Sequence, residues 1–542
     1  MRNGLRKRVY YLRMRLLLAA VTVAAACLSA SPGAQTDAPL VLDVADFATA
    51  PITGSFSGGT GNPGSLARIN FMRPEPGTSG RLFVNDLNGP LYILDARTRQ
   101  FTTYLDFNGR DAAKGLFDRL PFVAGFANGL ISFQFAPDYL TSGKFYTLHL
   151  EETAVKGSLI PDRTGVPGLD LTGYEPTPPV TTPGPITRES VIIEWTDTNI
   201  HDATFQGTAR EILRIQLNTQ IHPTGDMVFN PAARPGTPEW GVMCIGAGDG
   251  GSGEQTDAIR RNNPQRLDTL VGKILRIVPD LANQKGTSTV SGNGRYRVPN
   301  DNPFVKVPGA RPEIWAYGFR NPHRLTWEVD AARPANGRLL AMSIGLHTWE
   351  TVNIVHKGAN YGYSAREGNE ALLPSNQTGE RPANDRLPVL ISDTVTRGTI
   401  VPTYPVLQYN HGLGGFAIMG GFVYHGTRLA ALRDKFLFGD ILTGRLWYAN
   451  YREMVAADDG KPATMAAMHP IEVRWNGQRY PTMNPVVVAG YKARREANPP
   501  ATTAPMPARA DIRFGFDAAG EFYILSKVDG MIRAVVGATA GN

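Results

Sequence analysis

An all-β propeller is the fold class this sequence predicts, and three observations predict it. Short runs of β-branched and aromatic residues recur along the chain. Gly and Pro, 58 and 41 of 542 residues, are spread between those runs as turn signals rather than gathered in one tract. No apolar pattern of period 3.6 is sustained over three turns, except for a candidate helix around 429–436. Hydrophobic residues make up 42% of the chain, enough for a large core.

In chain order, the first segment is a targeting signal rather than fold. Arg2, Arg6, Lys7, Arg8, Arg13 and Arg15 precede an Ala- and Leu-rich stretch over 16–28, and small residues follow up to Ala34. The apolar stretch is too short for a bilayer span, and no other segment is long enough. Residues 1–34 therefore read as a bacterial secretory signal and the mature protein as periplasmic or secreted. Cys27, after three alanines, offers a lipid-anchor alternative. The signal holds six of the 55 basic residues and no acidic ones, so its removal leaves 49 against 48, and a nucleic-acid partner has no electrostatic basis. Once Cys27 is cleaved off or lipidated, Cys244 is alone. It sits in an apolar run and is expected to be a buried small hydrophobe.

Residues 35–60 read as a linker and 61–542 as one repetitive domain. Its strands include Arg81-Leu82-Phe83-Val84-Asn85, Lys144-Phe145-Tyr146-Thr147-Leu148, Lys273-Ile274-Leu275-Arg276-Ile277 and Lys435-Phe436-Leu437-Phe438. A shared cadence, Gly-Pro-Leu-Tyr-Ile-Leu near residue 91 and Gly-Glu-Phe-Tyr-Ile-Leu near residue 523, ties the two ends of the chain together. Degenerate repetition over some 450 residues points to propeller blades. Pro-rich stretches at 159–187, 369–403 and 478–508 read as loops that cap or wrap the propeller face.

Four blocks carry chemistry. Gly248-Asp249-Gly250-Gly251-Ser252-Gly253 is a Gly-rich turn without the Lys-Ser/Thr of a phosphate loop. Trp315-Ala316-Tyr317-Gly318-Phe319-Arg320-Asn321-Pro322-His323-Arg324 follows, then Trp349-Glu350-Thr351-Val352-Asn353 with Asn360-Tyr361-Gly362-Tyr363. The last block runs from Gly420-Gly421-Phe422 to Gly439-Asp440 and Gly444-Arg445-Leu446. No Gly-x-Ser-x-Gly elbow supports a serine hydrolase, and His411 and His425 lack partners at zinc-ligand spacing.

In this order and spacing, over roughly 61–533, the blocks resemble the soluble pyrroloquinoline quinone (PQQ) dependent sugar dehydrogenases of the glucose/sorbosone dehydrogenase family. The resemblance implies a six-bladed β-propeller with four-stranded blades. It also implies oxidation of an aldose or related hemiacetal hydroxyl by hydride transfer to PQQ, with Ca²⁺ assistance and an external electron acceptor. His222, in His222-Pro223-Thr224-Gly225, takes the place of the family's general base. Arg320 and Asn321 are the expected quinone contacts, joined by Arg513 and by Arg445 as a substitute cation. Gly345, Leu346 and Glu350 are the expected calcium ligands.

The chain departs from the family at Ala127, Ile221, Leu442 and Asp511, where sugar- or cofactor-holding side chains are usual. The rival reading is therefore a non-catalytic propeller that binds a glycan or a protein partner.

Overall fold

The computed structural model describes residues 39–541 apart from 57–63, 78, 111–112, 122–126, 330–336 and 501–504. The expected export signal, with Cys27, lies outside the described residues.

Among the described residues the strands form six antiparallel sets of four, the first five paired in sequence order. The first comprises Ile69–Pro74, Arg81–Asp86, Pro90–Asp95 and Phe101–Asp106. The second opens on Leu130–Phe135 and ends on Gly207–Leu217, and the third runs from Thr224–Phe229 to Ile314–Tyr317. The fourth runs from Asn321–Glu328 to Leu407–Asn410, and the fifth from Ile418–Val423 to His469–Trp475. The sixth, Ile512–Phe516, Phe522–Ser526 and Met531–Ala540, takes its fourth strand from the other end of the chain.

That closing strand is Leu40–Thr49, inside the segment expected to be a linker. It pairs antiparallel with Met531–Ala540 and parallel with His469–Trp475, so Leu42 faces Ala538 on one side and Val473 on the other. Alternating Leu, Val and Asp in Leu40-Val41-Leu42-Asp43-Val44 is strand chemistry, but nothing local says where the partner lies.

The opening strands of the six runs touch one another in a closed ring: Ile69–Pro74, Leu130–Phe135, Thr224–Phe229, Asn321–Glu328, Ile418–Val423, Ile512–Phe516 and back to the first. Six hydrophobic clusters match this ring, one at each interface between successive sheets. Phe83, Phe133, Phe145 and Trp195 fill the interface of the first and second sheets. Cys244 is buried between the third and fourth, as expected.

Helix is scarce, with two corrections to the sequence reading. At 429–436 there is only a 3₁₀ turn, Ala430–Leu432, because Lys435–Asp440 is drawn into the fifth sheet. The longest helix, Asn484–Ala497, lies in the stretch read as Pro-rich loop. Pro485 is tolerated in its first turn, and Val486, Val487 and Tyr491 bury one face against the fifth and sixth sheets. No helix among the described residues is long and apolar enough to cross a membrane.

A buried ionic network stiffens the second sheet. Arg214 reaches Glu151 at 2.8 Å, Glu189 at 2.9 Å and Glu211 at 2.9 Å, and His149 lies 3.3 Å from Glu151. Burial favours the neutral form of Glu151, but the His149 hydrogen bond and the Arg214 guanidinium outweigh it and bring the carboxyl down to about 2.

Two outcomes follow. Leu42→Ala, at a site wholly buried between two partner strands, is expected to lower the unfolding free energy by about 2–5 kcal/mol, read from the urea midpoint. For Glu151, whose folded carboxyl lies below its ordinary value of 4.5, the stabilisation is complete above that pH and is lost as pH falls through about 2. The stability gap between wild type and Glu151→Gln should therefore shrink steadily in urea melts over that acid range.

Candidate active site

The ring leaves a cavity of about 310 Å³ at the end where its six opening strands begin. Each strand contributes at or beside its first residues: Asn70, Ile131, Gly225, Asn321 with His323, Ala417, and Arg513. Local backbone geometry explains why. In five of the six sheets, pairing of the opening strand shifts register in its first few residues, between Ile69 and Phe71, Leu130 and Ser132, Thr224 and Asp226, Asn321 and Arg324, and Ile418 and Gly420. Such bulges re-aim side chains out of the pleat, here toward the channel for Asn70, Ile131 and His323.

His222 lines this cavity and is held from behind. Its Nδ1 lies 2.8 Å from Oδ1 of Asp249, which is fully buried. The same carboxylate accepts the amides of Gly251 at 2.8 Å and Gly253 at 2.9 Å. An ionised carboxylate can only accept, so it fixes the proton on Nδ1 and leaves Nε2 with a free lone pair. The Gly-rich turn wraps tightly to achieve this. Gly250 donates to the His222 carbonyl at 2.9 Å, and Asp249 donates to the Arg320 carbonyl at 2.7 Å. A Cβ on Gly248 would lie 2.3 Å from the His222 carbonyl oxygen. His222 itself has φ +51°, a left-handed conformation uncommon outside glycine.

The Gly318 to Pro322 signature is explained residue by residue. Gly318 has φ +80°, and a Cβ there would strike Asn360 Oδ1 at 2.3 Å. Phe319 stacks on Tyr361 with ring centroids 4.4 Å apart. Arg320 and Asn321 then both face the cavity.

Four guanidinium groups line it, from Arg320, Arg324, Arg509 and Arg513, with no carboxylate among the described lining residues. Arg324 stacks over Phe71 at 3.7 Å and donates to Asn70. Burial pulls the Arg513 guanidinium down to about 10, and burial with the like charge of Arg513 pushes the nearby Lys527 amine well below its ordinary range. Buried Nε atoms of Arg320, Arg509 and Arg513, and Oδ1 of Asn321, have no hydrogen-bond partner. A polycarboxylate ligand would offset these crowded cations, whereas Asn321 Oδ1 is an acceptor that calls for a donor. PQQ, with three carboxylates on a flat frame, fits this donor set.

The expected calcium ligands do not fit an ion in the same way. The Gly345 carbonyl accepts from Arg320 Nη1, and the Leu346 amide donates to Glu367 at 2.7 Å. Both oxygens of the buried Glu350 are engaged, one by His411 at 2.8 Å and Gly345 at 3.2 Å, the other by Ile418 at 2.8 Å. Glu350 thus stitches the fourth sheet to the fifth, and a guanidinium stands where a cation would meet the Gly345 carbonyl.

The remaining expectations divide. His222, Arg320, Asn321 and Arg513 converge on one cavity, and so do the departures Ala127, Ile221 and Leu442. Arg445 does not join them. It is exposed and lies by Gly414. Sequence pattern alone does not single out His323, Arg324 and Arg509. His323 and Arg324 directly follow the Gly318 to Pro322 signature, but only the bulge turns them inward. Arg509 was hidden by register: it pairs with Asp511 at 2.6 Å and enters the cavity from the loop before the sixth sheet.

Residues 208–461 match the family model described as Glucose / Sorbosone dehydrogenase. HIPL1 protein of Arabidopsis thaliana is 26% identical over 399 residues, 69% of this chain and 51% of HIPL1, so the chain spans about half that relative's length. Aldose sugar dehydrogenase YliI of Escherichia coli is 36% identical over 148 residues, 27% of this chain and 30% of YliI. A crystal structure of glucose dehydrogenase shares the fold, with a TM-score of 0.52 at 17% identity over 87% of this chain and 97% of that one.

Gly248→Ala should force the His222 carbonyl aside. A loss of about 1–3 kcal/mol in urea unfolding is expected, together with a broken His222–Asp249 hydrogen bond in a crystal structure of the variant.

Proposed function

We propose that this chain, which carries a glucose/sorbosone dehydrogenase domain over residues 208–461, is an exported six-bladed β-propeller oxidoreductase that uses PQQ to oxidise a hemiacetal or related hydroxyl. The propeller reading is supported by six four-stranded runs whose opening strands form a ring. The enzymatic reading rests above all on one observation: His222, held from behind by Asp249, and four guanidinium groups line a single cavity.

In this reading Arg320, Arg509, Arg513 and Asn321 bind the carboxylates of the cofactor, and Arg324 lines the same cavity. When bound, that group supplies an ortho-quinone able to take up a hydride equivalent. His222 Nε2 receives the proton of the substrate hydroxyl, and Asp249 steadies the imidazolium that results. The cation at the Gly345 carbonyl is Arg320, and no step here depends on calcium. Electrons leave to an external acceptor.

Titrating the purified full chain with PQQ is expected to give a saturable absorbance change and dye reduction with an aldose or hemiacetal panel. His222→Gln should keep the absorbance change and lose turnover by about 10²–10⁴-fold. Arg513→Ala should weaken cofactor binding by roughly 10-fold or more, the value of one charged hydrogen bond. No absorbance change in the wild type would overturn this reading in favour of a non-catalytic binding propeller.

A further inference from the structure

Besides the cations, the wall of the cavity is largely aliphatic. Ala127, Ile131, Ile221, Ile344, Ile441 and Leu442 line the cavity from four of the six sheets or the loops that enter or leave them. Ala127, Ile221, Ile344 and Leu442 are half-buried, so part of each surface is left to a ligand rather than to the core. Among the described lining residues there is no Asp, Glu, Ser, Thr, Gln or Tyr.

Side-chain acceptors are correspondingly few. Asn70 Oδ1 already accepts from Arg324 at 3.2 Å. Asn321 Oδ1 is unpartnered, His323 Nδ1 is left as an acceptor because Nε2 of that ring donates to the Ile418 carbonyl at 2.7 Å, and His222 Nε2 is reserved for the reacting hydroxyl. A free aldose brings several hydroxyl donors besides the one oxidised, and each must find an acceptor or lose its hydrogen bond to water on entering. Arginines cannot help, because they only donate. An alkyl chain, in contrast, gains from burial against the aliphatic wall.

We infer that the substrate is a cyclic hemiacetal with an alkyl-substituted, otherwise unhydroxylated ring, rather than a free aldose. This rests on the quinone-dependent oxidation proposed above. In the reaction the O–H bond breaks and its proton passes to His222 Nε2. The C–H bond at the same carbon breaks, and its hydrogen leaves with the electron pair to the quinone, the two-electron oxidant. The ring carbon becomes the carbonyl of a lactone.

The test separates the substrate class from the cofactor. Isothermal titration of the full chain, with and without PQQ, compares δ-octalactone with glucono-δ-lactone, two product-shaped molecules that cannot be oxidised at the reacting carbon. Tighter binding of δ-octalactone by about 10-fold or more is expected, the cost of at least one unpaired hydroxyl. Dye reduction by the PQQ-loaded protein should likewise give a kcat/KM about 10-fold higher for an alkyl-substituted tetrahydropyranol than for glucose. Ile221→Asp and Leu442→Gln, which add acceptors to the wall, should each narrow the lactone preference. Equal or tighter binding of glucono-δ-lactone by the wild type, or a preference for glucose in turnover, overturns the inference. Absence of any PQQ absorbance change overturns the oxidation reading instead, and the lactone comparison still decides which ligand class the wall selects.

Discussion

Closure of the ring by Leu40–Thr49 is the constraint on which the rest of the structure depends. The sixth sheet lacks a fourth strand until the N-terminal segment returns to supply it, and that strand also pairs with the last strand of the fifth sheet. Each hydrophobic cluster lies between two successive sheets, so none is complete while a neighbour is missing. Ring closure fixes where the six opening strands begin. It thereby decides that Asn70, Ile131, Gly225, Asn321 and Arg513, spread over more than four hundred residues of sequence, bound one cavity.

That convergence has an electrostatic cost. Burying guanidinium groups side by side removes hydration and adds like-charge repulsion, as the depressed Arg513 and Lys527 indicate. Carboxylates relieve part of it at the margin, Glu254 for Arg320 at 2.9 Å and Asp511 for Arg509 at 2.6 Å. The buried Nε groups of Arg320, Arg509 and Arg513 stay unpartnered. Keeping such a cluster costs stability, which accords with the anion-binding role proposed above.

Asp249 links the two halves of the proposed site. Its side chain orients His222 while its amide holds the Arg320 carbonyl, so the proposed proton acceptor and a principal cation of the cavity are set by one turn. Glycines around it are required by space as much as by conformation, since a Cβ on Gly248 or Gly251 would run into backbone or side chain within 2.3 Å. Glu350, by comparison, uses both oxygens to join two sheets. Its place in a family block reflects packing here as well as any ligand role.

The sequence by itself determined the repeated short strands, the buried Cys244, the Gly318 to Pro322 signature and the candidacy of His222, Arg320, Asn321 and Arg513. Each is carried by local pattern or by blocks in fixed order. Tertiary structure alone decided the rest, because the deciding contacts are between residues far apart in the chain. A segment that reads as linker became a closing strand, since its partners lie more than four hundred residues away. The helix Asn484–Ala497 formed inside a Pro-rich stretch because two sheets offered it an apolar seat. Arg509 replaced Arg445 among the cavity's cations, and Gly345 and Glu350 were drawn into protein hydrogen bonds, because side-chain direction at a bulge or loop is set by the neighbouring sheet and not by the residue's own surroundings in sequence.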